Sequence, residues 1–168
     1  MNRLVNSTVL SNFAAVQRLD LLRDAVGPFF LTTEVYDEIL AGQLAGYVFY
    51  AGIERHIAPF VPDGWLRLVA MTEAEIALSA SLSARLHRGE VSCLCIAQQR
   101  GWGFLTDERL ARRQAEKWNI PFSGTLGVLL LAIQDGRLTV DDGNALLHEM
   151  IVRAQYRSPV TDSSELLS

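Results

Sequence analysis

Apolar residues along the chain fall into short runs separated by longer stretches of helical periodicity. Short apolar runs bounded by turn residues predict buried strands over residues 3–5, 29–32, 65–71, 104–106 and 120–122. Apolar positions three and four residues apart predict helices over residues 10–25, 34–40, 44–57, 72–86, 90–100, 108–118, 126–134 and 141–154. Strands that alternate with helices form parallel sheets covered on both faces, so the pattern predicts an α/β fold.

Several residues at the ends of the predicted helices have the chemistry of caps or stops. Thr72 and Glu75 have the spacing of a capping box. Thr33 is the expected cap of the helix that begins at residue 34, and Gly42 the expected stop. Asp141 or Asp142 is the expected cap of the last helix.

The chain has 168 residues and a net charge of −4, with 15 Lys and Arg against 19 Asp and Glu. This length suits one domain with a core that needs no disulfide or metal. No apolar run is long enough to span a membrane, since Leu126–Ile133 has eight residues. No signal peptide is visible at the start, and we expect a cytoplasmic protein. Cys93 and Cys95 lie in an apolar stretch and are expected to be reduced core residues.

The net negative charge is not the basic footprint of a dedicated nucleic-acid binder. It leaves room for an enzyme that acts on nucleic acid through a local basic patch. The glycine-rich phosphate and dinucleotide motifs and the G-x-S-x-G elbow are absent from the sequence. The three histidines are isolated, and none lies in an H-E-x-x-H motif. The common oxidoreductase and acyl-transfer sites are therefore not indicated.

Ligands of parallel sheets bind beyond the carboxyl ends of the strands. This rule selects Asn6 and Asp107, each of which follows an apolar run. Asp107 has an alternative role as the cap of the helix that follows it. Glu90 and Glu38 are further candidates, with first-turn and surface-helix roles as alternatives. Oxygen ligands from four separate segments suit Mg²⁺ or Mn²⁺.

Three arginines near Asp107 are candidates for binding the phosphate of a substrate. Arg109, Arg112 and Arg113 share one helix face, where they either hold a phosphate or form a solvated face paired with Glu108 and Glu116. The Ser-Gly-Thr sequence that ends at Thr125 precedes an apolar helix. Thr125 therefore either helps to bind an anion at that helix N-terminus or is an ordinary cap.

Several segments of the chain resemble PIN domains, in the order expected for that family, and more closely a prokaryotic subgroup that includes toxin ribonucleases. The match runs through most of residues 3–136, and its most specific part is the string that ends at Leu129. The matching segments are Asn6–Leu10, Asn12–Val16, Gln17–Leu22, Val35–Ile39, Leu86–Glu90, Leu105–Arg109 and Ile120–Leu129.

The resemblance implies a three-layer α/β/α sandwich around a five-stranded parallel sheet, in a single domain over residues 1–168. Its core would span about residues 3–136, and residues 137–168 would form a C-terminal helical extension. The resemblance also implies an Mg²⁺- or Mn²⁺-dependent ribonuclease that leaves 5′ phosphate and 3′ hydroxyl ends. Many relatives are toxins that are bound by a small antitoxin and form homodimers. Tyr47, Phe49 and Tyr50 are candidates for such an interface or, alternatively, for the core.

Carried over by position, the resemblance implies a catalytic set of Asn6, Glu38, Glu90 and Asp107. Asn6, Glu90 and Asp107 would be the metal ligands. The family usually has Asp where this chain has Asn6, and an amide oxygen brings no negative charge to a hard cation. Four interpretations stay open: a weak natural nuclease, a non-catalytic PIN domain that binds RNA or a protein, a toxin disarmed by substitution, and, outside the family, an α/β protein that binds a small ligand.

Overall fold

The computed structural model describes residues 1–25 and 27–167 as alternating strands and helices. The strands are β1 Arg3–Val5, β2 Phe29–Thr32, β3 Ile57–Ala58, β4 Leu66–Val69, β5 Gly103–Leu105 and β6 Phe122–Ser123. The helices are α1 Ser7–Ala15, α2 Leu19–Ala25, α3 Thr33–Leu44, α4 Glu73–Leu78, α5 Arg88–Arg100, α6 Arg109–Lys117, α7 Thr125–Gln134 and α8 Val140–Arg153. This order confirms the predicted α/β class.

The strands form one sheet in the order β3-β4-β2-β1-β5-β6, and every neighbouring pair is parallel. β1 lies in the middle, where Leu4 and Val5 have no exposed surface. The sheet has six strands rather than the five expected from the resemblance. The additional strand, β3, is a two-residue edge strand in a segment that the sequence pattern predicted to be helical.

Helices pack on both faces of the sheet, as expected for a three-layer sandwich. α5 packs on β1, β2 and β5 and contacts α3, α4 and α6, while α1 contacts α2, α7 and α8. Between these layers lies a continuous apolar core that includes Phe13, Phe29 and Phe104. None of the helices in residues 1–25 and 27–167 is long and apolar enough to cross a membrane.

Local packing shifts several of the predicted helix boundaries. The helix predicted over residues 10–25 is two helices, separated at Gln17, whose φ of 57° is left-handed. Thr32, not Thr33, caps α3 by accepting a hydrogen bond from the Val35 amide at 3.0 Å. Gly42 does not end α3, because the helix continues to Leu44. A Cβ on Gly42 would lie 3.1 Å from the Tyr50 ring. Gly42 therefore makes space for an aromatic side chain within the helix.

The helices predicted from apolar periodicity differ most from the structure between α3 and β4, after β4, and at the start of α8. The predicted helix over residues 44–57 consists of two 3₁₀ turns, Val48–Tyr50 and Ile53–His56. The helix predicted over residues 72–86 ends at Leu78, although its capping box is present. Thr139, rather than Asp141 or Asp142, caps α8.

The aromatic residues of the 47–50 segment divide between surface and core. Tyr47 is 56% exposed and Tyr50 is buried, so Tyr50 belongs to the core and Tyr47 is available to a partner. Cys93 and Cys95 are buried and unpaired, which confirms the expectation of reduced core cysteines.

Candidate active site

The carboxyl ends of the neighbouring strands β1 and β5 bring two of the predicted site residues to one edge of the sheet. The Asn6 amide donates to the carbonyl oxygen of Leu105 at 2.9 Å, and Asn6 Nδ2 donates to Thr106 Oγ1 at 3.3 Å. Asn6 Oδ1 accepts from the Ser7 amide at 2.8 Å, which makes Asn6 the N-cap of α1. Asn6 is 2% exposed, so its polar groups are satisfied within the protein.

Asp107 is held by neutral donors from two other elements. Thr125 donates to it twice, from its amide to Oδ1 at 2.9 Å and from Oγ1 to Oδ2 at 2.6 Å. Asn12 Nδ2 donates to Oδ2 at 3.1 Å. Asp107 thus accepts bonds at the N-terminus of α7, not of the α6 helix that follows it in sequence. The donors of Thr125 expected for a substrate phosphate are instead bonded to Asp107.

The glycine before α7 is required for this arrangement. A Cβ on Gly124 would clash with Asp107 Oδ1 and would lie 2.9 Å from Arg112 Nη1. Burial raises the pKa of the Asp107 carboxyl, and the Thr125 hydrogen bonds and the Arg112 charge oppose that rise. The net direction is upward, so the protein keeps a carboxylate here at an electrostatic cost that its neutral partners offset only partly.

Glu38 reaches the same edge of the sheet from α3 and connects two other helices. Its Oε2 accepts from Ser7 Oγ at 2.8 Å, and its Oε1 accepts from the Gly89 amide at the start of α5 at 3.0 Å. A Cβ on Gly89 would lie 2.5 Å from Glu38 Oε1, so Gly89 permits this close approach. Hydrogen bonds through Ser7, Asn6 and Thr106 therefore lead from Glu38 towards Asp107.

Glu90 lies in the first turn of α5, and its Oε2 accepts from the His87 amide at 3.1 Å. Desolvation is the largest cause of the raised pKa of Glu90, and the negative charges of Glu108 and Glu38 raise it further. Glu90 therefore occupies the first turn of a helix, which is the alternative to metal binding given in the sequence analysis. It also belongs to a group of like charges that repel one another.

The carboxylates have the ligand chemistry of Mg²⁺ or Mn²⁺, although the described residues contain no group of three or more His, Cys, Asp or Glu that could hold a metal ion. Asn6, Glu38, Glu90, Glu108 and Asp107 offer only oxygen donors, which hard cations prefer. Mg²⁺ is commonly bound through one or two carboxylates, water and substrate phosphates rather than in an all-protein cage. The donor set fits a cation of this kind, bound together with substrate.

The predicted arginines line a cavity of about 640 Å³ beside Asp107. Arg109, Arg112 and Arg113 all border it, together with Glu116. Arg112 donates to the carbonyl oxygen of Thr106 at 3.0 Å, and its guanidinium lies 5.0 Å from the centre of the Phe122 ring. The cation-bearing face of α6 therefore adjoins this cavity.

The sequence model of a family described as a PIN domain matches residues 3–167 of the chain. The chain belongs to the PIN-domain family. A search of curated proteins found no match. PIN domains are usually nucleases, and this supports a nuclease-type role for the chain. It also supports binding of nucleic acid and the use of a divalent metal.

Two residues near the carboxyl edge of the sheet in this PIN domain, Asn12 and Glu108, are not among the site candidates selected from the sequence. Asn12 is buried and donates to both Asp107 and Thr125, at 3.1 and 3.0 Å. An amide within the apolar stretch of α1 was the available signal, but only the fold shows what it contacts. Glu108 entered the sequence analysis only as an ion-pair partner in one of the two alternatives for the arginines, whereas in the structure its charge acts on Glu90.

Proposed function

We propose that this PIN domain is an Mg²⁺- or Mn²⁺-dependent ribonuclease. The supporting observation is the group of buried or half-buried carboxylates at the carboxyl edge of the sheet, with raised pKa values at Glu90 and Asp107. Desolvation is the main cause at both residues, and at Glu90 the charges of Glu108 and Glu38 add to it. A bound cation relieves the cost of such desolvated carboxylates. The adjacent arginine-lined cavity supplies charge complementary to a phosphodiester.

Asn6, Glu90 and Asp107 would hold the ion, with Glu38 and Glu108 adding negative charge to the same edge. A bound Mg²⁺ or Mn²⁺ would lower the pKa of a coordinated water and offset charge on the attacked phosphate. Thr125 and Asn12 hold Asp107 in one orientation through their hydrogen bonds. Arg109, Arg112 and Arg113 would bind substrate phosphates. Water adds to phosphorus and the 3′ oxygen leaves, which gives 5′ phosphate and 3′ hydroxyl ends.

We further propose that the protein is the toxin of a toxin–antitoxin pair, working in the cytoplasm and forming a homodimer. Its unpaired thiols, Cys93 and Cys95, suit a reducing compartment. Exposed apolar side chains around the end of α3, including Leu44, Tyr47 and Val48, offer a surface for a second protein chain. These side chains support an interface with either an antitoxin or a second copy.

A non-catalytic PIN domain that binds RNA or a protein is the second candidate function. It is favoured by Asn6, whose amide carries no charge and whose Oδ1 already accepts a hydrogen bond from the Ser7 amide. In this function the same edge and cavity would bind a ligand without cutting it.

Cleavage of a mixed RNA pool in Mn²⁺, by the natural chain beside Asn6→Asp, tests the proposal. We expect cleavage by Asn6→Asp that EDTA abolishes, because a third charged ligand strengthens the cation site. Thr106 Oγ1 lies 3.3 Å from Asn6 Nδ2, and its hydroxyl can rotate to donate to a carboxylate at position 6. Cleavage by the natural chain as well would show that the Asn6 side-chain amide suffices as a metal ligand. If neither form cuts RNA, the non-catalytic function replaces the ribonuclease.

A further inference from the structure

The segment after α8 borders three cavities in succession along the candidate active site. Arg153, Ala154 and Gln155 line a cavity of about 330 Å³ beside Glu38. Ala154, Gln155, Tyr156 and Arg157 line the next, about 560 Å³, and Tyr156, Arg157 and Pro159 line the arginine cavity of about 640 Å³. We call residues 153–159 the C-terminal segment.

The three cavities adjoin one another, since neighbouring cavities share lining residues, and we call them together the groove. The first two share Ser11 of α1, and the second and third share Asp107 and Arg109. The groove therefore leads from Glu38 past Asp107 to the α6 arginines, with the C-terminal segment along its length. No residue of this segment is among the site candidates selected from the sequence.

The C-terminal segment is anchored at both ends, so its position over the groove is defined by the fold. Gln155 has a left-handed φ of 55°, and this conformation turns the chain as it leaves α8. The Tyr156 amide donates to the carbonyl oxygen of Met150 at 3.3 Å. Beyond the segment, the Ser163 amide and hydroxyl both donate to Asn144 Oδ1 of α8 at 2.7 Å.

Three of the four arginines that line the cavity of about 640 Å³ have no partner for their charge among the described residues. Arg109, Arg113 and Arg157 make no ion pair or side-chain hydrogen bond within residues 1–25 and 27–167. Arg112 donates to a backbone carbonyl, which leaves its positive charge in place. Glu116 and Asp107 are the acidic residues in the lining. In a chain with a net charge of −4, this is a local concentration of unneutralised positive charge.

The lining also offers aromatic surface beside the cations. Tyr156 and Phe122 both border the cavity, and both are partly buried. A positively charged surface with aromatic rings beside it is the combination with which proteins hold single-stranded nucleic acid, through phosphate contacts and stacking of bases. An isolated inorganic anion would use only the first of these features.

We propose that Arg157 and Arg113 form a phosphate-binding subsite for single-stranded RNA, in which the C-terminal segment contributes to substrate binding. The subsite would hold the phosphate of a nucleotide flanking the scissile bond at Asp107. This inference rests on the proposed function and assigns Arg157 a role that the resembling segments named from the sequence, the last of which ends at Leu129, do not give it.

The test is binding of a fluorescein-labelled single-stranded RNA 12-mer pool, followed by fluorescence anisotropy in EDTA across a range of KCl concentrations. Arg157→Gln removes the charge and keeps most of the side-chain length. Arg67→Gln is the matched control, since Arg67 is an exposed residue of β4, which is separated from β5 by the two strands β2 and β1. Thermal unfolding of each variant establishes that it is folded.

We expect Arg157→Gln to weaken binding on the order of fivefold at 0.1 M salt, and to reduce the slope of log K against log salt by about 0.7, the value for one contact to a single strand. Arg113→Gln should give the same change of slope, and Arg67→Gln should change neither quantity. A purely structural role for Arg157 would leave the salt slope unchanged. Equal affinities and slopes for Arg157→Gln and Arg67→Gln overturn the subsite.

The two proposals fail in different ways. If the natural chain or Asn6→Asp cuts RNA and Arg157→Gln binds RNA as Arg67→Gln does, the subsite fails and the ribonuclease stands. If neither form cuts RNA but Arg157→Gln shows the expected loss of binding, the subsite stands and catalysis fails. Absence of RNA binding by the natural chain overturns the subsite. Binding of polyglutamate, a polyanion without phosphates or bases, as tightly as RNA also overturns it.

Discussion

The two ends of α5 hold carboxylates in contrasting environments. At the C-terminal end, the buried Glu75 accepts from Arg100 Nε at 2.6 Å and from Arg100 Nη2 at 2.9 Å. At the N-terminal end, Glu90 accepts from the His87 amide, and Glu38 accepts from the Gly89 amide. The helix dipole favours carboxylates at this second end, but no arginine or lysine within the described residues forms an ion pair with either of them.

The pKa directions follow from this difference in partners. The Arg100 guanidinium holds the pKa of Glu75 below its usual value. Burial and the charges of Glu108 and Glu38 hold the pKa of Glu90 above it. A carboxylate that already has a cation beside it contributes to folding, whereas carboxylates gathered without one are available to bind a cation from solution. The contrast identifies the N-terminal end of α5 as part of the candidate active site and the C-terminal end as structural.

The largest expected effect comes from Asp107, whose pKa is raised, as at Glu90, mainly by desolvation. Asp107→Asn keeps the shape of the side chain and removes its charge. We expect the Mn²⁺-dependent cleavage rate to fall by at least about 100-fold, in whichever form at position 6 cuts RNA, because a metal ligand is lost. Initial rates on the RNA pool measure this, and thermal unfolding controls for misfolding. An unchanged rate would contradict a role for Asp107 at the site.

Glu75→Gln tests the opposite end of α5. The substitution breaks the ion pair with Arg100 and weakens the capping box with Thr72, and we expect it to lower the free energy of unfolding by about 2 kcal/mol. RNA cleavage at a temperature where the variant is folded should stay within about twofold of the parent rate. Urea unfolding and initial rates provide the two readouts. A loss of cleavage in a folded variant would show that the two ends are not functionally separate.

The smallest expected effect is a difference in the pH dependence of stability. The lowered pKa of Glu75 contributes stability that is present above the unfolded pKa of about 4.3 and is lost as the pH falls through the folded value. The raised pKa of Asp107 has the opposite sign, because the folded state binds the proton more tightly and stability falls as the pH rises from the unfolded to the folded pKa.

Urea unfolding in EDTA from pH 3.5 to 7 compares both variants with the natural chain. Rising pH should increase the destabilisation caused by Glu75→Gln. It should raise the free energy of unfolding of Asp107→Asn relative to that of the natural chain. Parallel pH profiles for the two variants would contradict the assignment of opposite environments.

The sequence alone gave a good account of the sheet and of residues that end its strands. Short apolar runs followed by polar residues located Asn6 and Asp107, because strand ends are set by local composition. The sequence did not show that Asp107 would bond to the N-terminus of α7, 18 residues later, rather than to its own helix. That contact depends on β5 and β6 being neighbours in the sheet.

Two glycines also show the difference between what the sequence predicts and what the fold decides. Gly89 and Gly124 are part of segments that resemble the family, but the sequence gives no reason for them. In the fold, each lies against a carboxylate from another element, Glu38 and Asp107 respectively, where a Cβ would not fit. Their necessity is a property of the close approach of distant segments.

The sequence by itself determined the α/β class, most strands and the oxygen-donor chemistry, since these follow from apolar periodicity and residue type. Tertiary structure decided which charges are neutralised. Glu75 and Arg100 are 25 residues apart and form an ion pair, whereas Arg157 lines a cavity together with Arg113 and Asp107 and forms no ion pair among the described residues. Charge pairing depends on distances across elements that no local pattern encodes, and those distances separate the structural carboxylates from the candidate catalytic ones.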